Sequence, residues 1–483
     1  MKLSKLLENV KLLQSITENI DITGIAYDSR KVVKGYLFVC IKGYETDGHL
    51  YIENAIANGA AAILVQDEIA QLSVPCLRAE DTRKALAQIA ANFYDHPEKK
   101  LKPVAVTGTN GKTTVTTLIK SILDFAGKKV GLIGTNANMI GNTVLPTERT
   151  TPESLDLFEL FAHMVDEGME YVVMEVSSHS LFLNRVYGIP FAVAAFTNLT
   201  QDHLDFHGNM ENYFLAKQIL FTMCDTAIIN IDDDYGQRLA KENQCPTITY
   251  SVDAESDLKA TNCRISPRGV IFSLTTQESE LSVRLGIPGK FSVYNCLAAF
   301  SVCLALGIDA QKIIDALLVA KGVPGRAENV YTGTDYTVLI DYAHTPDGLE
   351  NIIRTVKDFA QGRVVTLFGC GGDRDPVKRP IMGKIAGELS DFCIITSDNP
   401  RTEEPMNIIR QIEAGMKETS CSYTVIEKRR DAIRFALTEA QPGDCIILAG
   451  KGHETYQIIG KEKRHFDERE VIREILAELS EKA

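Results

Sequence analysis

The stretch PVAVTGTNGKTT, residues 103–114, decides the fold class. Pro103 to Val106 reads as a short buried strand. Beyond the turn, Val115, Leu118, Ile119 and Ile122 recur at the spacing of one helix face. Between strand and helix lie Gly108, Thr109, Asn110, Gly111, Lys112, Thr113 and Thr114. Glycines let backbone N–H groups close around phosphate oxygens, and the helix N-terminus adds its partial positive charge. Lys112 would neutralise the terminal phosphates of a nucleotide, and Thr113 could ligate Mg²⁺. The strict G-x-x-x-x-G-K-[ST] spacing is not met, because Val106 stands where the first glycine belongs. A Gly-rich turn arising by chance is the alternative.

Working outward, strand and helix patterns alternate on both sides. KKVGLIG, YVVMEV, VAAFTNL and TAIIN read as strands, and TVTTLIKSILDFAG and YFLAKQILF as helices. Such interleaving means a parallel α/β sheet. RGVIFSLTT and LSVRLGI, within 268–287, look instead like a hairpin. A third α/β pattern starts near residue 329, with YTVLIDYA, RVVTLFG, DFCIITS and DCIILAG each followed by helical sequence. The expectation is therefore an α/β protein of three domains: a smaller N-terminal domain over 1–101, a central P-loop domain over 102–328, and a C-terminal Rossmann-like domain over 329–483.

The bulk numbers narrow the function. The chain has 483 residues, 45% hydrophobic and 24% charged, an ordinary globular mixture. Its net charge of −13, with no basic run, argues against nucleic acid as a partner. Eleven cysteines are scattered singly without a CxxC pair, which points neither to zinc nor to a redox motif and favours a reducing compartment. MKLSKLLENVKLLQ reads as an amphipathic helix rather than a signal peptide, and no run has membrane-spanning length. The expectation is a cytoplasmic protein, monomeric and without a membrane partner.

Glu175 ends the strand YVVMEV, where a parallel sheet opens onto its ligand crevice. It reads as a metal ligand or as a cap for a neighbouring helix. Asp202, His203, Asp205 and His207 crowd into TNLTQDHLDFHG, which favours metal or phosphate contact over a structural histidine. Lys217 reads as a solvated helix lysine. In the C-terminal part, GCGGDRD at 369–375 and SDNPRTEEP at 397–405 are turns at strand ends. Arg374 and Arg401 there are either carboxylate partners or plain surface arginines.

Taken together, TGTNGKTT, MEVSSHSL at 174–181, TNLTQDHLDFHG, YNCLAA at 294–299, GVPGRAE at 322–328 and IDYAHTPDGL at 340–349 resemble the Mur ligases of bacterial peptidoglycan synthesis. The non-strict P-loop is the form that family uses. The resemblance implies an N-terminal domain gripping a UDP end, a central ATPase and a C-terminal domain that closes over the site. It implies Lys112, Glu175, His203 and Lys217 as the catalytic set, with ATP held by residues 108–114, Asn295, Arg326 and Asp341. Thr113, Glu175 and His203 would serve Mg²⁺, joined by Lys217 once carbamylated. Ser29, Thr150, Thr151, Ser177 and Arg185 would hold UDP-MurNAc-L-Ala-D-Glu. Asp398-Asn399-Pro400-Arg401 matches the loop of members that add meso-diaminopimelate, with Arg374, Gly450 and Glu454 in support. A folylpolyglutamate synthase would share the P-loop but not the DNPR and GKGHE loops. A GTPase would need a guanine loop of NKxD type, which is missing from the sequence. An idle nucleotide-binding regulator would not need Lys112, Glu175 and His203 together.

Overall fold

Lys102–Thr107 is a strand and Lys112–Phe125 a helix, as the glycine turn between them predicts, in a computed structural model that describes residues 1–14, 18–43, 46–147, 149–266, 268–275 and 280–480. The chain gathers into two units, Met1–Lys259 with Leu297–Ala316 and Ala260–Cys296 with Leu317–Ala483.

The first unit holds two sheets. β1 (Gly24–Ala26), β2 (Tyr36–Val39), β3 (Ala62–Val65) and β4 (Cys76–Arg78) pair in parallel in that order. Successive side chains of a strand point to opposite faces, so both faces must be apolar. Leu37, Val39 and Leu64 join one core with Leu86, Ile89 and Ala90 of the helix Thr82–Phe93. Phe38, Ile63 and Val65 face Ile52 and Ala55 on the other side. Asp81 starts the helix Thr82–Phe93 by accepting from the N–H groups of Arg83 and Lys84. The predicted N-terminal helix is only Leu3–Leu6. Asn9 takes a left-handed φ of 61°, and Leu12 bridges to Ala79, so the chain leaves the helical path after one turn.

The larger sheet comprises β5 (Lys102–Thr107), β6 (Val130–Ile133), β7 (Asn138–Ile140), β8 (Thr143–Leu145), β9 (Tyr171–Glu175), β10 (Phe191–Phe196), β11 (Cys224–Asn230) and β12 (Thr247–Ser251). Within this unit the order is β12-β11-β10-β5-β9-β6-β7-β8. The strands run parallel from β12 to β6 and antiparallel at β7 and β8. Two pairings position the chemistry: Phe196 lies opposite Thr107, and Val106 opposite Glu175. The C-terminal ends of β10, β5 and β9 therefore lie side by side.

β13 (Leu258–Ser266) begins in the first unit, pairing with β12, and ends in the second. The predicted hairpin is present as β14 (Gly269–Thr275) against β15 (Glu280–Leu285), with Val270 opposite Leu285. Thr276, the last residue of the predicted first run, lies outside the described residues. The second unit's main sheet contains β16 (Glu328–Val330), β17 (Thr337–Asp341), β18 (Val364–Phe368), β19 (Phe392–Ile395), β20 (Ser422–Val425) and β21 (Cys445–Ala449), in the order β16-β17-β21-β18-β19-β20. Every pairing is parallel except β16 with β17. Leu339, Phe368, Ile395 and Ile447 face the helices Pro346–Lys357, Lys378–Leu389 and Pro405–Met416. Ile340, Leu367, Ile394 and Leu448 face Arg429–Thr438 and Glu468–Ser480. Each such fully buried aliphatic side chain contributes roughly 1.5–3 kcal/mol. One expectation needs correcting. The chain after β21 does not enter a helix directly but first forms a hairpin, β22 (Tyr456–Ile459) with β23 (Glu462–His465).

Candidate active site

In the first unit the site begins at the glycine turn. Gly108 and Gly111 take φ of +147° and +88°, which side-chain-bearing residues rarely adopt. A Cβ on Gly108 would collide with Thr197 Oγ1. The turn is tied to the segment after β10. Thr109 N donates to Asn198 O (2.9 Å), Asn110 N to Asn198 Oδ1 (2.9 Å), and Thr197 Oγ1 to Asn110 O (2.6 Å). Lys112 Nζ reaches back to Gly108 O and Thr109 O, both at 2.8 Å. Thr113 and Thr114 sit in the first turn of the helix, whose N–H groups point toward the loop mouth.

Lys217 is not the solvated lysine that its helix pattern suggests. It is 2% exposed, donates to Gly108 O at 2.9 Å, and its Nζ stands 4.6 Å from the Tyr213 ring centre. Burial, and next the Lys112 charge, push its pKa well below the ordinary lysine value, while Asp202 pulls the other way. A lysine so placed is drawn toward the neutral, nucleophilic amine.

Glu175 is 1% exposed at the end of β9. Its oxygens accept from Thr135 N (2.9 Å) and Thr135 Oγ1 (3.0 Å), both uncharged donors. Thr135 Oγ1 also contacts Thr150 Oγ1 at 3.0 Å. Thr151 Oγ1 donates to Glu175 O (2.8 Å) and accepts from Ser177 N (3.2 Å), and Arg185 donates to Thr151 O (3.1 Å). Glu175, Thr150, Thr151, Ser177 and Arg185 thus form one connected patch. Ser29, in the N-terminal sheet region, is buried and bonds Asn58 through its carbonyl instead.

His203 has a left-handed φ of 53° and lies beside His179, with ring centres 4.9 Å apart. His207 stacks on Tyr213 and shares a 2.9 Å hydrogen bond with Ser178 Oγ. Burial lowers the pKa of all three imidazoles, that of His207 to about 4. Neutral imidazole and carboxylate oxygen are the donor types a divalent cation accepts. The carboxyl oxygens of Glu175, the imidazole of His203 and the Thr113 hydroxyl at the loop therefore suit Mg²⁺. A different cluster, Asp47, His49 and Asp67, brings its ligand atoms within 4.8 Å of one another. Its members are engaged locally, His49 by Asp47 and Gln66 N, and Asp67 by Lys42.

One feature of this unit escaped the sequence reading. Glu153, with a side chain 5% exposed, gathers three guanidinium groups: Arg83 at 3.0 Å, Arg149 at 2.8 Å and Arg185 Nε at 3.0 Å, the last off the hydrogen-bond direction. Arg83 also donates to Lys42 O from Nε (3.1 Å) and Nη2 (3.0 Å). Glu153 stands two residues beyond Thr151, at the N-cap of a helix, which is where its signal lay.

In the second unit, Asp341 ends β17 and accepts from Ala327 N (2.6 Å) and Ala343 N (2.8 Å). Burial raises its pKa, against the opposing charge of Arg326. Arg326 lies 5.1 Å from the Tyr342 ring centre. Asn295 is buried in the helix Lys290–Ala305. The DNPR turn follows β19. Asn399 donates to Glu454 Oε2 (2.9 Å), and Arg401, at a φ of 50°, pairs its backbone with Ile458 and Gly460 and donates Nη1 to Gly372 O (2.8 Å). Pro400 O closes the turn by accepting from Glu403 N (3.1 Å). Gly450 packs against Asp398, whose Oδ2 would meet a Cβ there at 2.6 Å. Asp398, Asn399, Arg401, Gly450 and Glu454 are brought together, and Arg374 stands exposed at the edge of this group, its stem near the Gly371 that Arg401 also flanks and its Nη1 donating to Asp373 O at 3.1 Å. Lys451, between Gly450 and Glu454, was missed although the GKGHE motif contains it.

Three family descriptions match successive parts of the chain. Residues 21–94 match the description "Mur ligase family, catalytic domain", 106–303 "Mur ligase middle domain", and 325–452 "Mur ligase, glutamate ligase domain". The chain is 53% identical over 480 residues to the UDP-N-acetylmuramoyl-L-alanyl-D-glutamate--2,6-diaminopimelate ligase of Caldanaerobacter subterraneus subsp. tengcongensis, covering 99% of each. A solved structure of a ligase with the same name superposes with a TM-score of 0.72 at 32% identity, over 95% of both chains. The MurF ligase of Thermotoga maritima, solved with ADP, shares the fold at a TM-score of 0.61 and 20% identity, over 95% of this chain and 98% of that one.

Proposed function

The chain belongs to the Mur ligase family, and on that premise we propose that it uses ATP to join meso-diaminopimelate to the D-Glu side-chain carboxylate of UDP-MurNAc-L-Ala-D-Glu. The setting is the cytoplasmic assembly of the peptidoglycan precursor, and the chain acts as a monomer. Among the described residues no helix is long and apolar enough to cross a membrane. What carries the reading is an end-to-end likeness to ligases named for 2,6-diaminopimelate, in a chain whose DNPR turn holds a guanidinium and a carboxylate on one patch.

The chemistry follows from charge and leaving-group ability. A carboxylate is a poor acyl donor, so ATP phosphorylates the D-Glu side chain to an acyl phosphate and leaves as ADP. The amine then attacks the acyl carbon, and the tetrahedral adduct expels phosphate. The protein positions and neutralises. Loop amides of 108–114 and Lys112 hold the phosphates, and Asn295, Arg326 and Asp341 the adenosine. Thr113, Glu175 and His203 hold Mg²⁺, which supplies neutralisation of phosphate charge. Lys217, kept toward its neutral form by burial, adds to CO₂ as a carbamate and thereby becomes a further anionic ligand. Thr150, Thr151, Ser177 and Arg185 hold the muramoyl dipeptide, and Ser29 the uridine end. Asp398, Asn399, Arg401, Gly450 and Glu454, with Pro400 shaping the turn and Arg374 at its rim, receive diaminopimelate. Its distal end carries both a carboxylate for Arg401 and an ammonium for Glu454.

The test is phosphate release with ATP, Mg²⁺ and UDP-MurNAc-L-Ala-D-Glu, offering meso-diaminopimelate and L-lysine in parallel. Release with diaminopimelate alone supports the reading. Preference for lysine keeps the ligase and overturns the role of Arg401, and no release with either overturns the substrate assignment.

A further inference from the structure

Lys451 is a charged residue with no path to water: its side chain is 0% exposed. Its Nζ donates to Asn399 Oδ1 (3.3 Å) and Glu454 Oε2 (3.1 Å) and stands 5.7 Å from the Tyr456 ring centre. An ammonium offers donors only, so Asn399 must turn its oxygen toward Lys451 and its Nδ2 toward Glu454. The same oxygen accepts from Ile458 N at 2.9 Å, and Nδ2 reaches Glu454 Oε2 at 2.9 Å. Among the described residues both side-chain donors to Glu454 converge on Oε2, which leaves Oε1 to accept from a ligand. The Lys451 charge also offsets that of Glu454, and the patch carries a second carboxylate, Asp398, to set against Arg401.

We infer that Lys451 is a positioning residue that sets amine selectivity, by fixing Asn399 and Glu454 and by muting the Glu454 charge. The inference rests on the reading of this patch as the diaminopimelate site. A ligand end bearing ammonium and carboxylate together satisfies Oε1 and Arg401. A lone ammonium meets a half-neutralised carboxylate and brings no carboxylate to the Arg401 guanidinium. Without Lys451, Glu454 regains its full charge and a freer rotamer, which penalises diaminopimelate and rewards lysine.

The experiment measures KM and kcat for both amines, for ATP and for the UDP-substrate, with the full chain and Lys451→Met. The expected result is a KM for diaminopimelate raised about tenfold or more, as for loss of a buried charged hydrogen bond. KM for ATP and for the UDP-substrate stays put, and the kcat/KM ratio of lysine to diaminopimelate rises. An unchanged ratio, or all KM values moving together, overturns the inference in favour of a purely structural ion pair. Glu454→Gln and the double variant Lys451→Met/Glu454→Gln leave no unpaired buried carboxylate, and they carry the test should Lys451→Met fail to fold. Because Lys451 acts through Glu454 and Asn399, adding Lys451→Met to Glu454→Gln should raise the diaminopimelate KM by less than Lys451→Met does alone. A further rise of about tenfold overturns the inference. If the unmodified protein turns over neither amine, the site reading itself fails. If diaminopimelate is turned over and selectivity is the same in the variant, only the role of Lys451 fails.

Discussion

Replacing Glu153 by Gln keeps the shape of the side chain and removes the one carboxylate on which Arg83, Arg149 and Arg185 converge. Arg149 is 51% exposed, so its share is small, about 0–1 kcal/mol. Arg83 and Arg185 are largely shielded from water, and stripping a buried pair of one partner costs roughly 3–5 kcal/mol. Both keep a second acceptor, Lys42 O for Arg83 and Thr151 O for Arg185, which lowers the expected loss to about 2–4 kcal/mol. At about 2–4 °C per kcal/mol for units of this size, the main calorimetric transition should fall by on the order of 5–10 °C. The same change frees Arg83 from its link between Lys42 and Glu153, so KM for the UDP-substrate should rise while KM for ATP holds. Calorimetry and phosphate release on one preparation give both numbers. A loss under about 1 kcal/mol would mean that the three guanidinium groups do not depend on Glu153.

Lys112→Ala should cut kcat by a factor of about 10² or more while leaving binding of the UDP-substrate intact, checked by ADP release and by calorimetric titration; retained turnover would remove the P-loop assignment. Gly108→Ala forces a side chain into Thr197 and a disfavoured φ costing about 1–3 kcal/mol, so ADP affinity measured by titration should drop at least tenfold. Depleting CO₂ should reduce turnover, bicarbonate should restore it, and Lys217→Met should be insensitive to both. His207 has a pKa of about 4 when folded against about 6.5 when unfolded, so the unfolded chain takes up its proton first as pH falls. Stability should therefore be full above about pH 6.5 and decline toward pH 4, by up to ~3 kcal/mol for this group, a slope that His207→Gln should flatten in urea titrations.

Much of this was legible because local chemistry and global fold agree at the glycine turn. A strand of small apolar residues, two glycines at positive φ and a helix with one apolar face admit one arrangement, and the Val106–Glu175 register then places the carboxylate. Burial that depends on residues distant in the chain was not legible. Lys217 follows a helix pattern that reads as solvated, and only packing against Tyr213 and Gly108 hides it. Glu153 and Lys451 look like surface charges because their partners lie up to 70 and 52 positions away. The short β16 and β20, and the β22–β23 hairpin, were overlooked because three or four residues carry too little periodicity to stand out from loop.

The ties from Thr197 and Asn198 to the glycine turn have a thermodynamic consequence. Protein atoms alone hold Thr109, Asn110 and Gly111 in the curve that phosphate oxygens require. The ordering entropy of that segment is thus settled during folding rather than at each catalytic cycle. Nucleotide capture should proceed as docking onto a rigid cradle, with a heat-capacity change set by the area covered and no contribution from loop freezing. A substitution at Thr197 would then return that ordering cost to the binding step and weaken nucleotide capture.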